Sequence, residues 1–243
     1  MALVTGAGSG IGRATAFALA ANGARVVLVG RQAATLEATA AAVSSASDTT
    51  FPYVADVTDS TAVERLADML DSKFRRIDVV INNAGMNIPS RALNVLTVET
   101  WKAVIDVNLH GPFLITRAVL PLMRRQASGT IVNIASMAGI TMTLLPGPAY
   151  SAAKRALISL TESINLAERR HGIRACAICP GEVATPILDQ RPVPPPAEAR
   201  VSMLQPEDVA STIVHVVTLP QRAAIELVTI LPTSLRDTSA EVQ

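Results

Sequence analysis

Short runs of aliphatic and β-branched residues alternate along this chain with longer, alanine-rich stretches. The short runs predict seven strands, at residues 2–5, 25–29, 51–54, 77–82, 130–134, 173–178 and 226–230. Between the first six, apolar residues recur at helical spacing, as at positions 63, 66, 67 and 70. This alternation predicts an α/β protein with a doubly wound, mostly parallel sheet, right-handed crossovers and helices on both faces.

The composition narrows the class of protein. Of 243 residues, 49% are hydrophobic, and 21 Lys and Arg balance 20 Asp and Glu for a net charge of +1. That apolar content excludes a disordered chain. The balanced charge argues against a nucleic-acid binder, and no polybasic segment favours an anionic lipid surface.

Membrane insertion and secretion are not expected. The longest uncharged run, between Arg125 and Lys154, is interrupted by several glycines and prolines, which a lipid-facing helix does not tolerate. The chain starts with a strand that enters a glycine turn, unlike a signal peptide. Two cysteines imply no disulfide framework, so we expect a cytoplasmic protein.

The chain is predicted to form one domain over residues 1–243. No Gly/Ser linker and no repeat divides it. The one unusual segment is 186–206, with six prolines, which predicts a stiff, non-helical excursion rather than a domain boundary.

A glycine turn directly follows the first predicted strand. Thr5-Gly6-Ala7-Gly8-Ser9-Gly10-Ile11-Gly12 fits G-x-x-x-G-x-G spacing rather than G-x-G-x-x-G, because residue 11 is Ile. Glycines there let the backbone approach a pyrophosphate, which sits on the positive end of the next helix. The alternative is a tight turn that binds nothing, and the position between a strand and a helix disfavours it.

The end of the second strand bears on the choice of cofactor. An NAD site places Asp or Glu about 20 residues after the glycines to bind the ribose 2′-hydroxyl. Here Gly30-Arg31 occupies that position, and the next acid is Glu37. Arg31 can bind a 2′-phosphate in bidentate fashion, so NADP(H) is favoured over NAD(H). The alternative is that Arg31 is a solvated residue at a helix start.

Tyr150 and Lys154 are spaced to share one face of a helix. A free phenol has a pKa of about 10, so proton exchange near neutrality requires about 4 kcal/mol of stabilisation of its anion. A neighbouring ammonium can supply much of this. Ser136 follows a predicted strand at the carboxyl edge of the sheet, where doubly wound folds bind ligands. Its alternative role is a cap of a helix or turn.

Together these motifs resemble the compact form of the short-chain dehydrogenase/reductase family over nearly the whole chain. The matching segments, in the family's order and spacing, are the glycine turn, Asp56-Val57, Asn82-Asn83-Ala84-Gly85, Asn108, Ser136, Tyr150, Lys154, and Pro180-Gly181 with Val183 and Thr185.

The resemblance implies a Rossmann fold with strand order 3-2-1-4-5-6-7 and a catalytic set of Asn108, Ser136, Tyr150 and Lys154. In this set Tyr150 is the general acid or base, and Lys154 lowers its pKa and holds the nicotinamide ribose. Ser136 donates to the substrate oxygen, and Asn108 anchors a proton-relay water. The implied cofactor contacts are Gly6, Ser9, Gly10, Ile11, Gly12, Arg31, Asp56, Val57, Asn83, Ala84, Gly85, Tyr150, Lys154, Pro180, Gly181, Val183 and Thr185.

Substrate contacts are expected where the chain departs from the family. The substrate lid, 186–205, is short and proline-rich, and the last strand lacks the glycine pair that many relatives have before it. The candidate lining residues are Met86, Met137, Met142, Leu145 and Glu182, with Thr141 and Leu144 beside them. This mostly apolar set favours a neutral or hydrophobic carbonyl or alcohol substrate. Family members assemble as dimers or tetramers, so a homo-oligomer is expected, with Trp101 a packing or subunit-interface residue.

Other chemistries are disfavoured. Cys176 and Cys179 form a C-x-x-C motif, but at the end of a strand this spacing points their side chains to opposite faces. No second cysteine pair completes a zinc site, so no metal is expected. Three alternatives to the NADP(H)-linked enzyme stay open: a catalytically idle dinucleotide sensor or scaffold, an NAD-preferring dehydrogenase, and an isomerase or epimerase that retains its cofactor.

Overall fold

The computed structural model describes residues 1–43, 49–238 and 241. Seven parallel strands form one sheet in the order β3-β2-β1-β4-β5-β6-β7. They are β1 Ala2–Thr5, β2 Val26–Gly30, β3 Thr50–Val54, β4 Val79–Asn82, β5 Gly129–Ile134, β6 Ile173–Pro180 and β7 Leu227–Ile230. The expected fold class and strand order are confirmed. The sheet is entirely rather than mostly parallel, and the predicted strand ends are off by one or two residues.

Eight helices connect and cover the strands in the described part of the chain. They are α1 Gly10–Ala21, α2 Ala33–Val43, α3 Ser60–Met69, α4 Val98–Ile105, α5 Gly111–Gln126, α6 Pro148–Glu168, α7 Ala197–Val201 and α8 Pro206–Thr218. A π-helical turn, Asp106–His110, joins α4 to α5. Short 3-10 turns lie at Met137–Gly139, Arg169–His171 and Pro186–Gln190.

The core lies on both faces of the sheet, because alternate residues of each strand point to opposite sides. On one face, Leu3 and Val27 pack against helices α3 and α5. On the other, Val4 and Leu28 pack against α1 and α8. Burial on both faces explains why the five inner strands are largely aliphatic, whereas the edge strands β3 and β7 are partly exposed.

The sequence analysis predicted a non-helical proline-rich segment, but the structure shows helical turns within it. It contains the 3-10 turn Pro186–Gln190 and the short helix α7. Pro186 lies in the first turn of the former, and Pro196 is the N-cap of the latter. Proline is tolerated at both positions because the missing N–H has no helical partner there.

One helical stretch in the described residues, Val98–Gln126, is long and apolar enough to cross a membrane by length and composition alone. In the fold, 44% of the most apolar 18-residue part of this stretch is buried. Val104, Ile115 and Val119 are almost completely inaccessible. Ile115 and Val119 pack in the core beneath the sheet, as in a core helix.

Candidate active site

The glycine turn after β1 leaves the amino end of α1 open. Gly6 and Gly10 have φ of +64° and +49°, values that glycine adopts without strain. A Cβ on Gly12 would lie 2.3 Å from the Gly6 carbonyl oxygen, so no side chain fits there. The N-cap residue Ser9 makes no side-chain cap bond. The first backbone N–H groups of α1 are therefore free to bind an anion that approaches the helix terminus closely.

Hydrogen bonds fix this turn to the end of β4. Thr5 Oγ1 accepts from the N–H groups of Asn83 and Ala84, at 2.9 Å each. Asn83 Nδ2 donates to the Thr5 carbonyl oxygen at 2.9 Å. The motif residues on β1 and β4, which are 78 positions apart, thus form one rigid unit.

The residues expected to recognise the adenosine end follow β2 and β3. Gly30 ends β2, and the exposed Arg31 comes next. No hydrogen bond or ion pair engages the Arg31 side chain within the part of the chain that the structure describes. After β3, Asp56 Oδ1 accepts from the backbone N–H and the hydroxyl of Thr58, at 2.9 and 2.8 Å. Val57 is buried against Gly111.

Ser136 and Tyr150 meet at the carboxyl end of β5. Ser136 caps the turn Met137–Gly139, with its Oγ accepting from the Ala138 N–H at 3.1 Å. Tyr150 lies in the first turn of α6, close enough to Ser136 for an interaction that lowers the pKa of its phenol. The capping and site interpretations of Ser136 are therefore compatible, because the cap holds Oγ where the phenol reaches it.

Lys154 lies one helical turn after Tyr150, as its spacing predicts. Its side chain is buried, and Nζ donates to the Ile134 carbonyl oxygen at 2.8 Å. Nζ lies 5.4 Å from the centroid of the Tyr150 ring. Burial lowers the pKa of Lys154 to about 8, so the ammonium form still predominates at neutral pH.

The electrostatics of Tyr150 differ from the sequence expectation. Burial raises the pKa of Tyr150 to about 12, and the Ser136 hydrogen bond and the charges of Arg91 and Arg191 oppose that rise. The sequence analysis expected Lys154 to oppose it. The opposing effects here come from Ser136 and from two arginines that no local motif singles out, since Lys154, with its pKa lowered to about 8, is neutral at the pH where this phenol ionises. The catalytic role of Lys154 stays a prediction.

Asn108 is completely buried in the π-helical turn between α4 and α5. Its Nδ2 donates to the carbonyl oxygens of Met86 and Val104, at 2.8 Å each. A Cβ on Gly85 would lie 3.0 Å from Asn108 Oδ1 and 3.7 Å from Lys154 Nζ. Asn108 therefore supports the loop after β4 next to Lys154 and does not itself line the cavity. Insertions of this π type are frequent at functional sites.

These elements enclose a cavity of about 360 Å³ at the carboxyl edge of the sheet. The expected site residues that line it are Gly6, Ser9, Gly10, Ile11, Asn83, Ala84, Gly85, Ser136, Met137, Leu145, Tyr150, Lys154, Pro180, Gly181, Glu182, Val183 and Thr185. The expected site residues outside its lining are Gly12, Arg31, Asp56, Val57, Met86, Asn108 and Met142. Met142 is 73% exposed and lies outside the lining, and its substrate contact stays a prediction.

The sequence analysis missed several lining residues, among them Asn87, Arg91, Ile187, Leu188 and Arg191. They come from the loop after β4 and from the lid, and no spacing rule connects them. In the described residues, no group of three or more His, Cys, Asp or Glu is placed to hold a metal ion.

Glu182 lines the cavity but is already paired. Arg191 Nη1 lies 2.8 Å from Glu182 and 2.7 Å from Glu241, and Arg236 pairs with both carboxylates. Burial alone would raise the pKa of Glu182, but hydrogen bonds from Arg236 and Arg191 hold it below its usual range. The two carboxylates and two guanidiniums form a balanced network that ties the lid to the chain after β7.

The fold and the site define a Rossmann-type α/β protein with Ser136, Tyr150 and Lys154 at one edge of its sheet, and comparison with known proteins identifies its family. The family model "short chain dehydrogenase" matches residues 1–193. A 3-oxoacyl-[acyl-carrier-protein] reductase of Synechocystis sp. is 40% identical over 231 residues, covering 93% of this chain and 92% of the relative. The chain belongs to the short-chain dehydrogenase family, and it is an oxidoreductase of that family.

Solved structures of related enzymes support this family assignment. A metagenomic short-chain oxidoreductase in complex with NADP superposes with a TM-score of 0.82 at 32% identity, over 96% of this chain and 97% of that one. A 3-ketoacyl-(acyl-carrier-protein) reductase from Brucella melitensis complexed with NADH superposes with a TM-score of 0.84 at 28% identity, over 96% of each chain.

Proposed function

We propose that this protein interconverts a carbonyl group and a secondary alcohol with NADP(H), using Tyr150 as general acid or base. The observation that carries the proposal is that the glycine turn, Ser136, Tyr150 and Lys154 line one cavity at the carboxyl edge of a parallel sheet. Such an edge is where doubly wound folds bind nucleotides and substrates.

The residues present fit a nicotinamide dinucleotide. The tight glycine turn, in which Gly12 packs against the Gly6 backbone, and the uncapped start of α1 suit a pyrophosphate, which needs close backbone approach and N–H donors. Pro180, Gly181 and Thr185 line the cavity on the side of β6, where they would hold the nicotinamide end. When bound, the reduced cofactor supplies a hydride to the carbonyl carbon.

The remaining chemistry belongs to side chains of this protein. As the carbonyl is reduced, its π electron pair moves to oxygen, and Tyr150 transfers its phenolic proton to that oxygen. Ser136, which lines the same cavity beside Tyr150, would donate to the same oxygen and stabilise its developing charge. Lys154 stays protonated near neutrality and adds a positive charge below the ring. Alcohol oxidation reverses these transfers.

Preference for NADP(H) is supported by Gly30 and Arg31. No carboxylate follows β2 to repel a 2′-phosphate, and the exposed Arg31 guanidinium has no acidic partner within the described residues. A planar guanidinium suits bidentate phosphate binding. The relative complexed with NADH keeps an NAD-preferring enzyme as the competing proposal.

Titration of NADPH and NADH, followed by nicotinamide fluorescence, tests the cofactor. We expect tighter binding of NADPH in the wild-type protein. Arg31→Gln should weaken NADPH binding by about tenfold, since a charge-assisted pair contributes ~1.5–3 kcal/mol before solvent screening. NADH binding to the same variant serves as the internal control and should not change. Tighter NADH binding in the wild type would refute the preference.

Turnover separates the enzyme from an idle nucleotide sensor. The wild-type protein should oxidise NADPH in the presence of small ketones, and Tyr150→Phe should bind NADPH but lose turnover by at least ~100-fold. Equal rates for the two proteins would remove Tyr150 from its proposed role. Nucleotide binding without turnover on a broad panel of carbonyls and alcohols would favour the sensor.

The sequence analysis expected a neutral or hydrophobic substrate, and the apolar lining from Met137, Leu145 and Leu188 supports apolar contacts with it. We further propose that the protein acts in the cytoplasm as a homo-oligomer. Apolar side chains on adjoining helices support self-association, with exposures of 37% for Trp101, 41% for Phe113 and 87% for Leu166. Light scattering in solution tests the assembly, and a monodisperse monomer would refute it.

A further inference from the structure

Arg91 is a buried cation in the cavity wall without a carboxylate partner. The residue is only 7% exposed, and it lines the same cavity as Tyr150. No Asp or Glu within the described chain forms an ion pair with it. A buried charge without a counter-charge is costly, so such a site either has a structural reason or accepts an anion.

The hydrogen bonds of Arg91 leave part of its guanidinium unused. Nε donates to the Ile88 carbonyl oxygen at 2.7 Å, Nη1 to that of Leu145 at 3.3 Å, and Nη2 to that of Gln190. A guanidinium has five N–H groups. Within the described residues, one N–H on each Nη atom of Arg91 therefore has no acceptor.

Arg174 shows what a purely structural arginine looks like in the same protein. It is 8% exposed, and its five N–H groups meet five acceptors, namely the hydroxyl of Thr130 and the carbonyl oxygens of Val217, Leu219, Pro220 and Ala223. Arg174 does not line the cavity. Arg91, in contrast, lines the cavity and has only three acceptors. Its Nη1 and Nη2 atoms, which together can bind a carboxylate in bidentate fashion, each retain one N–H donor.

The neighbouring charges do not neutralise Arg91. Glu182 and Glu241 are balanced by Arg191 and Arg236 in the lid network. Arg91 and Tyr150 are close enough for each to influence the other's ionisation. Burial and the charge of Arg191 lower the pKa of Arg91 to about 10, which leaves it protonated at neutral pH.

We propose that Arg91 binds a carboxylate of the substrate, so that the enzyme reduces small oxo acids and oxidises the corresponding hydroxy acids. This inference rests on the proposed carbonyl–alcohol chemistry and refines its substrate class. The apolar residues Met137, Leu145 and Leu188 then contact the chain between the carboxylate and the reacting carbon. Part of the ~360 Å³ cavity belongs to the dinucleotide, which restricts the acid to a small one. A carboxylate substrate departs from the expectation of a neutral substrate and retains only the expected apolar contacts.

The test compares acids with their uncharged esters. Pyruvate, acetoacetate and 4-oxopentanoate are each assayed with NADPH beside their methyl esters, and acetoacetyl-CoA is included as a thioester. We expect kcat/KM of the wild-type enzyme to be about 10- to 100-fold higher for at least one acid than for its ester, the range of a charge-assisted hydrogen bond. Butyrate should inhibit reduction of the ester competitively.

Variants separate recognition from structure. Arg91→Gln should bring the acid-to-ester ratio of kcat/KM close to one and weaken butyrate inhibition. Arg91→Lys, which keeps the charge but not the fork, should retain part of the preference. Arg125→Gln removes a charge from a 57% exposed side chain paired with Asp71, at the end of α5, and should leave the ratio unchanged.

The other possible results would each refute either this inference alone or the proposed function as well. Equal kcat/KM for acids and esters in the wild type, preference for the thioester, or an equal loss on acid and ester in Arg91→Gln would overturn the inference alone. The last result would mean that Arg91 acts only by supporting the loops or by lowering the pKa of Tyr150. Absence of turnover with every ketone would overturn the proposed function and this inference together.

Discussion

The ionisation of Tyr150 in the nucleotide-free protein is directly measurable. Burial raises its pKa to about 12, against 10 for an ordinary tyrosine, which corresponds to about 3 kcal/mol against the phenolate. At pH about 10, roughly 1% of Tyr150 is then ionised, whereas about half of a free phenol would be. A phenol acidified to near neutrality would be fully ionised. The three possibilities are thus well separated at pH about 10.

The assay is a near-ultraviolet absorbance titration of tyrosinate. The chain has two tyrosines, Tyr53 and Tyr150, so subtracting the titration of Tyr150→Phe isolates Tyr150. We expect almost no tyrosinate from Tyr150 up to pH about 10. Lys154→Met should give the same curve, because burial lowers the pKa of Lys154 to about 8 and the lysine is therefore already neutral at the pH where Tyr150 ionises. Half-titration of Tyr150 below pH about 9 in the wild type, lost in Lys154→Met, would refute this reasoning.

Repeating the titration with saturating NADP⁺ measures how much the bound nucleotide lowers the pKa of Tyr150. The proposed function requires a fall, because alcohol oxidation uses the phenolate as base. An unchanged curve would contradict Tyr150 as that base.

Three further results are expected. Gly12→Ala should lower NADPH affinity by at least tenfold, about 1.4 kcal/mol, measured by calorimetry on a folded variant, because its Cβ would lie 2.3 Å from the Gly6 carbonyl oxygen; unchanged affinity would contradict the close approach. Glu168→Gln should lower the free energy of unfolding by about 1–3 kcal/mol in urea, because its buried carboxylate pairs with Arg124 at 2.5 Å. The Arg124 hydrogen bond holds the pKa of Glu168 below its usual range, so this contribution is present above the unfolded-state pKa and disappears as pH falls through the folded-state value; a variant that loses the same stability at all pH values would contradict it. Both cysteines are buried, with pKa raised by burial to about 12 and about 11, so the native protein at pH about 8 should resist alkylation that the unfolded chain undergoes twice, as mass spectrometry would show.

The sheet was predictable because strands buried on both faces must be aliphatic throughout, which marks them against the alanine-rich helices. The opposite directions of the two cysteine side chains followed from the period of a strand, and the structure places Cys176 and Cys179 in different core clusters. The helical turns of the lid were not predicted from the sequence. Its prolines exclude a helix interior but permit a helix start, and the sequence pattern alone did not distinguish the two.

Local periodicity also placed Tyr150 above Lys154, and the strand-to-helix turn placed the glycines beside an open helix end, since both depend on residues a few positions apart. The groups that control Tyr150 come from elsewhere. Arg91 reaches Gln190 across 99 positions, and Arg191 reaches Glu241 across 50. The positions of these two arginines depend on how distant loops fold over the edge of the sheet, which no local pattern in the sequence records. The sequence therefore determined the scaffold and the proposed catalytic side chains, whereas the tertiary structure decided which charges surround them.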